Sequence, residues 1–375
     1  MIPFNQTRLP DSSLDNLLSA LRSGQLQGDS YFSREAERMI SEISGLKISL
    51  LTASCTQALE LASILLGVKA GDEIIMPAFN FTSSATSIAN YGATPVFVDI
   101  DSDTLNISAV MVEAAITKRT KGISVVNYAG IACDFISLRE IASKHNLYLI
   151  EDNAHGFGGN FNGTPLGSFG DFSAHSFHET KNIQCGEGGF ISVNNSSLVG
   201  PAQIARDKGS NRREYLEGLV DKYTWQGLGG SYLLAEPLAA LLVGQLEDFK
   251  LIQENRVSIW NCYFRELSAW ASKIGIELMN VPEGNTNIAH IFYLVMPDNS
   301  SRTKFIEHMN ACGVDVRFHY QSLDRTPAGL KYGIAPYICT NSHRVSDNLV
   351  RLPLWFGMGE SQINQVLEAC KSFKL

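Results

Sequence analysis

The chain has 375 residues, 45% of them hydrophobic and 18% charged, so it holds ample core material and is not a disordered polymer. Thirty Lys and Arg against thirty-eight Asp and Glu leave a net charge of −8, which argues against a general nucleic-acid binder. At roughly 150 residues per domain, the length corresponds to two or three domains.

From residue 47 onward, short β-rich runs alternate with helical patterns. Strands are expected over 47–51, 73–76, 95–98, 122–127 and 147–151, and helices over 55–66, 81–89, 108–116 and 134–145. Apolar residues at 58, 59, 62, 65 and 66 fall on one helical face, and Ser137-x-x-Glu140 resembles a capping box. Such alternation predicts an α/β fold with a mostly parallel sheet covered on both faces. The character then changes. One long helix is expected over 237–256, then a strand over 290–295, a helix over 302–312 closed by Gly313, and a strand over 314–319. Ile363, Val366, Leu367 and Cys370 give the last helix one apolar stripe. The reading is a large α/β domain over 1–245 and a smaller α+β domain over 246–375.

Seven cysteines without a Cys-x-x-Cys pair read as reduced thiols, not as a disulfide framework or zinc cluster. No apolar run approaches the ~20 residues of a membrane span. The opening residues Met1-Ile2-Pro3-Phe4-Asn5-Gln6 show neither a basic region nor an apolar signal core. A soluble, cytoplasmic protein is expected, with no membrane or nucleic-acid partner.

Ligands of open α/β sheets sit beyond the carboxyl ends of strands. That rule directs attention to 52–56, 77–82 and 152–155. Thr52-Ala53-Ser54-Cys55-Thr56 joins a strand to a helix, where free amides and hydroxyls suit either a phosphate or an ordinary cap. It is not a Walker loop, because Gly-x4-Gly-Lys is absent. In Glu151-Asp152-Asn153-Ala154-His155, an Asp at the end of a buried strand suits a cationic ring nitrogen, with a turn cap as the plain alternative. Lys181, in Ser176-Phe177-His178-Glu179-Thr180-Lys181-Asn182 before Gly186-Glu187-Gly188-Gly189, suits a Schiff-base nucleophile if its amine is held neutral. His175, His178 and Cys185 lack a second ligand cluster, so no metal is expected. Asp99-x-Asp101-x-Asp103 has Thr104 and Val110 where a calcium loop needs Gly and Glu, and Gly156-x-Gly158-Gly159 lacks dinucleotide spacing.

Taken in order, the strand–phosphate turn, the strand–Asp segment and Ser-x-x-x-x-Lys resemble the fold type I pyridoxal-phosphate (PLP) transferases. The closest resemblance is to the DegT-type family of sugar-nucleotide aminotransferases. It runs from Ile2-Pro3-Phe4 to Arg351-Leu352-Pro353-Leu354. Within the family it is nearest to the transaminases that form dTDP-4-amino-4,6-dideoxygalactose, through Asp72-Glu73-x-Ile75-Met76-Pro77, Tyr128-Ala129-Gly130, Asp221-Lys222-Tyr223-Thr224-Trp225 and Phe318-His319-Tyr320.

The resemblance implies that Lys181 is the Schiff-base lysine and proton shuttle, that Asp152 pairs with the pyridinium nitrogen, and that His155 contacts the ring. It implies a phosphate site of Ser54, Cys55 and Thr56 assisted by Ser176, with Phe81 stacked on the ring. Pyridoxamine 5'-phosphate is the implied intermediate form of the cofactor. The family's Asn that reaches across a dimer interface to the cofactor phosphate is replaced by Ser231, and a homodimer with shared sites is still expected. Candidates for substrate contact are His178, Lys208, Arg212, Arg213, His319 and Tyr320, the basic three facing a diphosphate.

The implied reaction moves an amino group from L-glutamate to C-4 of a nucleotide-linked 4-keto-6-deoxyhexose for surface polysaccharide such as lipopolysaccharide O-antigen. Amination at C-3 and a non-catalytic sensing role are alternatives. A related sugar dehydratase is disfavoured because Lys181 stands where those relatives have His.

Overall fold

The computed structural model describes residues 1–375. In the order of the chain, the first part comprises α1 (Asp11–Ser23), α2 (Tyr31–Ser44), β1 (Ser49–Thr52), α3 (Cys55–Leu65), β2 (Glu73–Pro77), α4 (Thr82–Ala89), β3 (Thr94–Val98), α5 (Ala109–Ala114), β4 (Thr120–Val126), α6 (Phe135–His145) and β5 (Tyr148–Asp152). The short pair β6 (Asn160–Phe161) and β7 (Thr164–Pro165) precedes β8 (Phe172–Ser176) and β9 (Gly189–Val193), and α7 (Val199–Arg206), α8 (Arg212–Leu216) and α9 (Glu236–Glu247) follow. The remainder is α10 (Phe249–Lys273), β10 (Glu277–Leu278), β11 (Phe292–Val295), α11 (Asn299–Ala311), α12 (Pro327–Tyr332), α13 (Thr340–Asn348), β12 (Leu349–Leu352) and α14 (Glu360–Ser372).

The main sheet has seven strands in the order β1-β9-β8-β5-β4-β2-β3. Only β9 runs against the rest, pairing antiparallel with both β1 and β8. β2 and β8 are buried throughout, and β4 and β5 are buried except at their first residues, as expected for a parallel sheet covered on both faces. The reversal of β9 has a local consequence: its first residue, Gly189, stands opposite Thr52 and Ser176. A strand start therefore meets the carboxyl ends of its neighbours. A Cβ at position 189 would lie 2.5 Å from the Cys55 amide nitrogen and 2.5 Å from the His175 carbonyl oxygen, so only glycine fits there.

Three antiparallel strands, β10-β11-β12, form a second sheet. Its core joins Trp260, Tyr263 and Leu267 of α10 to Phe305 and Met309 of α11 and to Val366 and Cys370 of α14. No helix is long and apolar enough to cross a membrane. All seven cysteines are free.

Three local expectations need correction. The capping residue of α6 is Asp134, whose carboxylate accepts from the Ser137 amide at 3.1 Å; Ser137 lies within the first turn and caps nothing. The long helix over 237–256 is two helices, because Asp248 (φ −94°, ψ 11°) leaves helical geometry and starts α10 in a new direction. The segment 314–319 is not a strand. It makes only isolated bridges, Val314 with Ile2 and Arg317 with Arg351, and the positive φ of Tyr320 (35°) then turns it away. Helices α1 and α2 have no counterpart in the periodicity reading, which began at residue 47.

Those two helices are tied to the sheet by a buried charge cluster. Arg206 donates to Asp29 at 3.0 Å, to Glu37 at 2.6 Å and to the Leu51 carbonyl at 3.1 Å. The Leu51 amide also donates to Glu37, at 2.9 Å. Arg206→Ala would strand two acids in a dry site, where breaking one partner of a buried pair costs about 3–5 kcal/mol. The expected outcome is a fall of that size in the stability read from chemical denaturation. A loss within 1 kcal/mol, on the order of an exposed pair, would show that water reaches the cluster.

Candidate active site

The carboxyl ends of β1, β2, β5 and β8 open on a cavity of ≈ 830 Å³, closed on the far side by residues from 290–291, 317–323 and 351–354. Strand alternation explains which acid serves it. Asp152 closes β5 on the cavity side, whereas its neighbour Glu151 points to the opposite face. Glu151 accepts backbone amides of Gly167, Phe169 and Gly170 at 2.7–2.8 Å and the Asn127 side chain at 3.3 Å. It folds the 167–170 loop over the strand end, and burial raises its pKa to about 7.

Asp152 is buried and belongs to no ion pair. Ser84 donates to its Oδ2 at 2.8 Å, the Ala154 amide to its Oδ1 at 3.2 Å, and the Cys55 thiol stands 4.0 Å away. Burial raises its pKa, with these donors and Lys181 opposing. Such a carboxylate is suited to a cation supplied from outside the chain.

Lys181 lines the same cavity, half-buried and without an ion pair. Burial lowers its pKa from 10.5 to about 8, opposed by Cys55 and Asp152 and reinforced by Arg351. At neutral pH roughly a tenth of it is free amine, against a few parts in ten thousand for an unperturbed lysine. That fraction makes it a nucleophile.

Ser54 caps α3, accepting from the Gln57 amide at 3.2 Å, and the first amides of the helix face the cavity with no helical partner. Thr56 and Ser83 hydroxyls meet at 2.7 Å beside them, and Ser176 lines the same end. This is a neutral, donor-rich cradle at a helix N-terminus, suited to phosphate. Phe81, 53% exposed, stands at the mouth with its ring 5.8 Å from that of Tyr320.

An aromatic cluster forms the far wall. The Ala129 amide donates to His155 Nδ1 at 3.3 Å, which leaves the ring proton on Nε2, 3.0 Å from the Tyr320 hydroxyl. His319 Nδ1 meets the Tyr128 hydroxyl at 2.8 Å. Burial lowers the pKa of both histidines, so both are neutral imidazoles. His178 stands at the rim, 3.7 Å from Glu187.

Ser54, Cys55, Thr56, Phe81, Asp152, His155, Ser176, His178, Lys181, His319 and Tyr320 thus converge on one cavity. Four named residues do not. Lys208 and Arg212 pair with Asp207, and Arg213 pairs with Glu217, outside the lining. Ser231 bridges to Asp207 through its backbone. The sequence reading missed Ser83, Ser84, His290 and Arg351. Ser83 and Ser84 lie two and three residues beyond Phe81, so the strand-end rule reached their neighbourhood without singling them out.

The chain matches the family described as DegT/DnrJ/EryC1/StrS aminotransferases over residues 9–371. The chain belongs to this family. It is 30% identical to the GDP-perosamine synthase of Caulobacter vibrioides over 96% of this chain and 95% of that one. Among solved structures, the aminotransferase TlmJ of Streptoalloteichus hindustanus is 26% identical, with a TM-score of 0.89 over 99% of this chain and 98% of that one. Spr1654 of Streptococcus pneumoniae, solved in PLP and PMP forms, is 25% identical, with TM-scores of 0.90 and 0.91 over 99% of this chain and 98% of that one. The protein is a PLP-dependent aminotransferase of fold type I.

The residues present fit that cofactor. An unpaired buried carboxylate answers a pyridinium, a helix-terminal cradle answers a phosphate, and an amine of depressed pKa stands in the same cavity. In the apoprotein, reaction of Lys181 with an amine-directed acylating reagent is expected to reach half its maximal rate near pH 8, as read by peptide mapping. Asp152→Asn moves that midpoint lower, because the lost negative charge no longer holds the proton. A midpoint above pH 10 would mean that Lys181 is fully solvated.

Proposed function

We propose that this aminotransferase moves an amino group from L-glutamate to C-4 of a dTDP-linked 4-keto-6-deoxyhexose. The product is a 4-amino-4,6-dideoxy sugar, of galacto or gluco configuration, for surface polysaccharide. The observation that carries the reading is the meeting of unpaired Asp152 and amine-poised Lys181 in a cavity also walled by His155, His319 and Tyr320. A homodimer with shared sites, working in the cytoplasm, completes the proposal.

Bound PLP supplies an electron sink for the carbon attached to the transferred nitrogen. Asp152 keeps the ring nitrogen protonated, and Ser84 keeps Asp152 in place. Ser54, Cys55, Thr56 and Ser176 hold the phosphate, with Phe81 against the ring face. Lys181 Nζ takes the proton released at the donor α-carbon, and water supplies the keto oxygen as 2-oxoglutarate departs and leaves its nitrogen with the cofactor. In the second half-reaction Lys181 Nζ returns a proton to the sugar C-4. His155, kept neutral and fixed by Ala129, holds the Tyr320 hydroxyl toward the cavity. His178, His319 and Tyr320 are proposed to meet the sugar. Ser231, outside this cavity, is proposed to reach a neighbouring subunit's cofactor, whereas Lys208, Arg212 and Arg213 are ion-paired outside the cavity and are left out of the diphosphate site. The GDP-linked counterpart of the acceptor is the second reading, supported by the similarity to GDP-perosamine synthase.

Lys181→Ala is expected to abolish turnover, a loss of at least about 10⁴-fold when a group that acts as both nucleophile and proton carrier is removed. Undiminished turnover in that variant would refute the assignment. With the wild type, adding L-glutamate is expected to bleach the visible absorption of bound PLP and release one 2-oxoglutarate per site. Adding dTDP-4-keto-6-deoxyglucose then restores the band, whereas the GDP-linked ketone does not. Restoration by the GDP sugar alone would transfer the proposal to that base.

A further inference from the structure

Lys181 lines the cavity with no hydrogen bond or ion pair on its Nζ, so the place of the amine is set by the backbone that carries it. The next residue is tied three times. Asn182 Nδ2 donates to the Ile288 carbonyl at 2.8 Å and to Gln253 Oε1 at 3.2 Å, and its Oδ1 stands 3.0 Å from His290 Nδ1. The Ile288 carbonyl can only accept, and Gln253 Nε2 donates to it as well. That fixes the amide nitrogen of Asn182 toward Ile288 and leaves its oxygen to His290. The imidazole is neutral, because burial, and then His155, Lys181, Arg256 and His319 around it, hold its pKa well below the ordinary value. His290 Nδ1 therefore carries the single ring proton and donates it to Asn182.

Two further contacts reach beyond that hydrogen bond. The ring of His290 lies against that of His155, with centroids 4.3 Å apart and planes inclined by 33°. Its backbone is gripped from α10. Arg256 is 3% exposed and belongs to no ion pair; its Nε and Nη2 donate to the Ala289 and His290 carbonyls at 3.2 and 2.7 Å. A buried cation without an acid is costly, but its planar fork spans two consecutive carbonyls, which an ammonium cannot do. Ala289 has a positive φ (48°), a conformation that a non-glycine residue keeps only where its surroundings impose it.

We propose that His290 is a positioning residue for transamination: through Asn182 it fixes the chain at Lys181, and through its ring it braces His155. This rests on the reading of Lys181 as the proton carrier. The path runs from a helix of the second core through Arg256, His290 and Asn182 to the reacting amine. That amine must meet first the donor α-carbon and then the sugar C-4, and a misplacement of about 1 Å costs such a group on the order of 10²-fold in rate.

His290→Phe keeps an aromatic ring against His155 and removes the hydrogen bond to Asn182. In the apoprotein, the pH midpoint for acylation of Lys181 is expected to rise by about one unit, because a looser segment lets water reach the amine. Cys55, Asp152, Arg351, His155 and His319 also face that amine and are unchanged in the variant. In the PLP-loaded protein, the limiting rate of the donor half-reaction falls about 10- to 100-fold. The half-saturating L-glutamate concentration stays within about twofold, the split expected when a proton carrier is misplaced and donor binding is not. His290→Gln, which can still donate to Asn182, recovers part of both losses. Asn182→Ala reproduces them, and combining it with His290→Phe adds less than about twofold, as for two ends of one link. An unchanged midpoint, weaker donor binding without a slower limiting rate, or independent effects of the two substitutions overturns the role. If the midpoint does not move while wild-type protein still bleaches with L-glutamate, the positioning role falls and the aminotransferase reading stands. If the midpoint moves but L-glutamate does not react with the wild type, the positioning role stands and the donor assignment falls.

Discussion

A carboxylate at the dry end of a central strand is the constraint around which this molecule is organised. Asp152 ends β5 among buried residues, and the chain gives it a hydroxyl and an amide but no cation. An ionised carboxylate in that position is tolerated only if something positive completes it. On the function proposed above, the protonated ring of PLP brings that charge. The rest of the cavity takes its shape from the ends of the strands on either side. β1 contributes the helix-capping turn, β2 the segment of Phe81 and Ser84, and β8 the Ser176 hydroxyl, while the reversed β9 begins with the glycine that lets these pieces approach.

The same strand shows how one residue of offset separates two jobs. Glu151 and Asp152 are consecutive acids, but the pleat sends them to opposite faces. Glu151 is saturated by three loop amides and the Asn127 side chain and serves the architecture. Asp152 is left with capacity to spare. Residues behind it share the load: Asn153 meets Asn127 at 3.0 Å, and His175 stacks on Phe190 at 4.0 Å with Ser173 on its Nε2. Burial holds the pKa of His175 near 3, so this layer stays uncharged beneath the reacting groups.

The far wall comes from segments distant in the chain. His319 and Tyr320 arrive on a stretch that leaves extended geometry at a positive φ, and Arg351 comes from the neighbouring strand. A left-handed conformation in a tyrosine is strained, and here it aims the ring at His155. Ala129, which fixes the other nitrogen of His155, also has positive φ (57°). The hydrogen-bonded line from amide to imidazole to phenol is therefore held by backbone strain at both ends.

The sequence alone determined the alternating strands and helices from 47 to 152, because fully buried parallel strands must be continuous apolar runs and their helices must show a 3.6-residue stripe. It also determined the neighbourhood of the site, since Asp152 ends one such strand and Ser54 lies two residues past another, and the motif around Lys181 carried the family resemblance. It did not reveal α1 and α2. The apolar residues of α2, Phe32, Ala36 and Ile40, do recur at intervals of four, but few residues carry that pattern between charged neighbours. Only the tertiary structure decided that Asp152 and not Glu151 faces the cavity, that Lys208, Arg212 and Arg213 are answered by their own acids, and that Arg351 is not. Charge type is written in the sequence, but the partner of a charge is a matter of distance. Residues 317 and 351 become neighbours only when the second sheet folds, and that meeting leaves one guanidinium paired and the other without an anion.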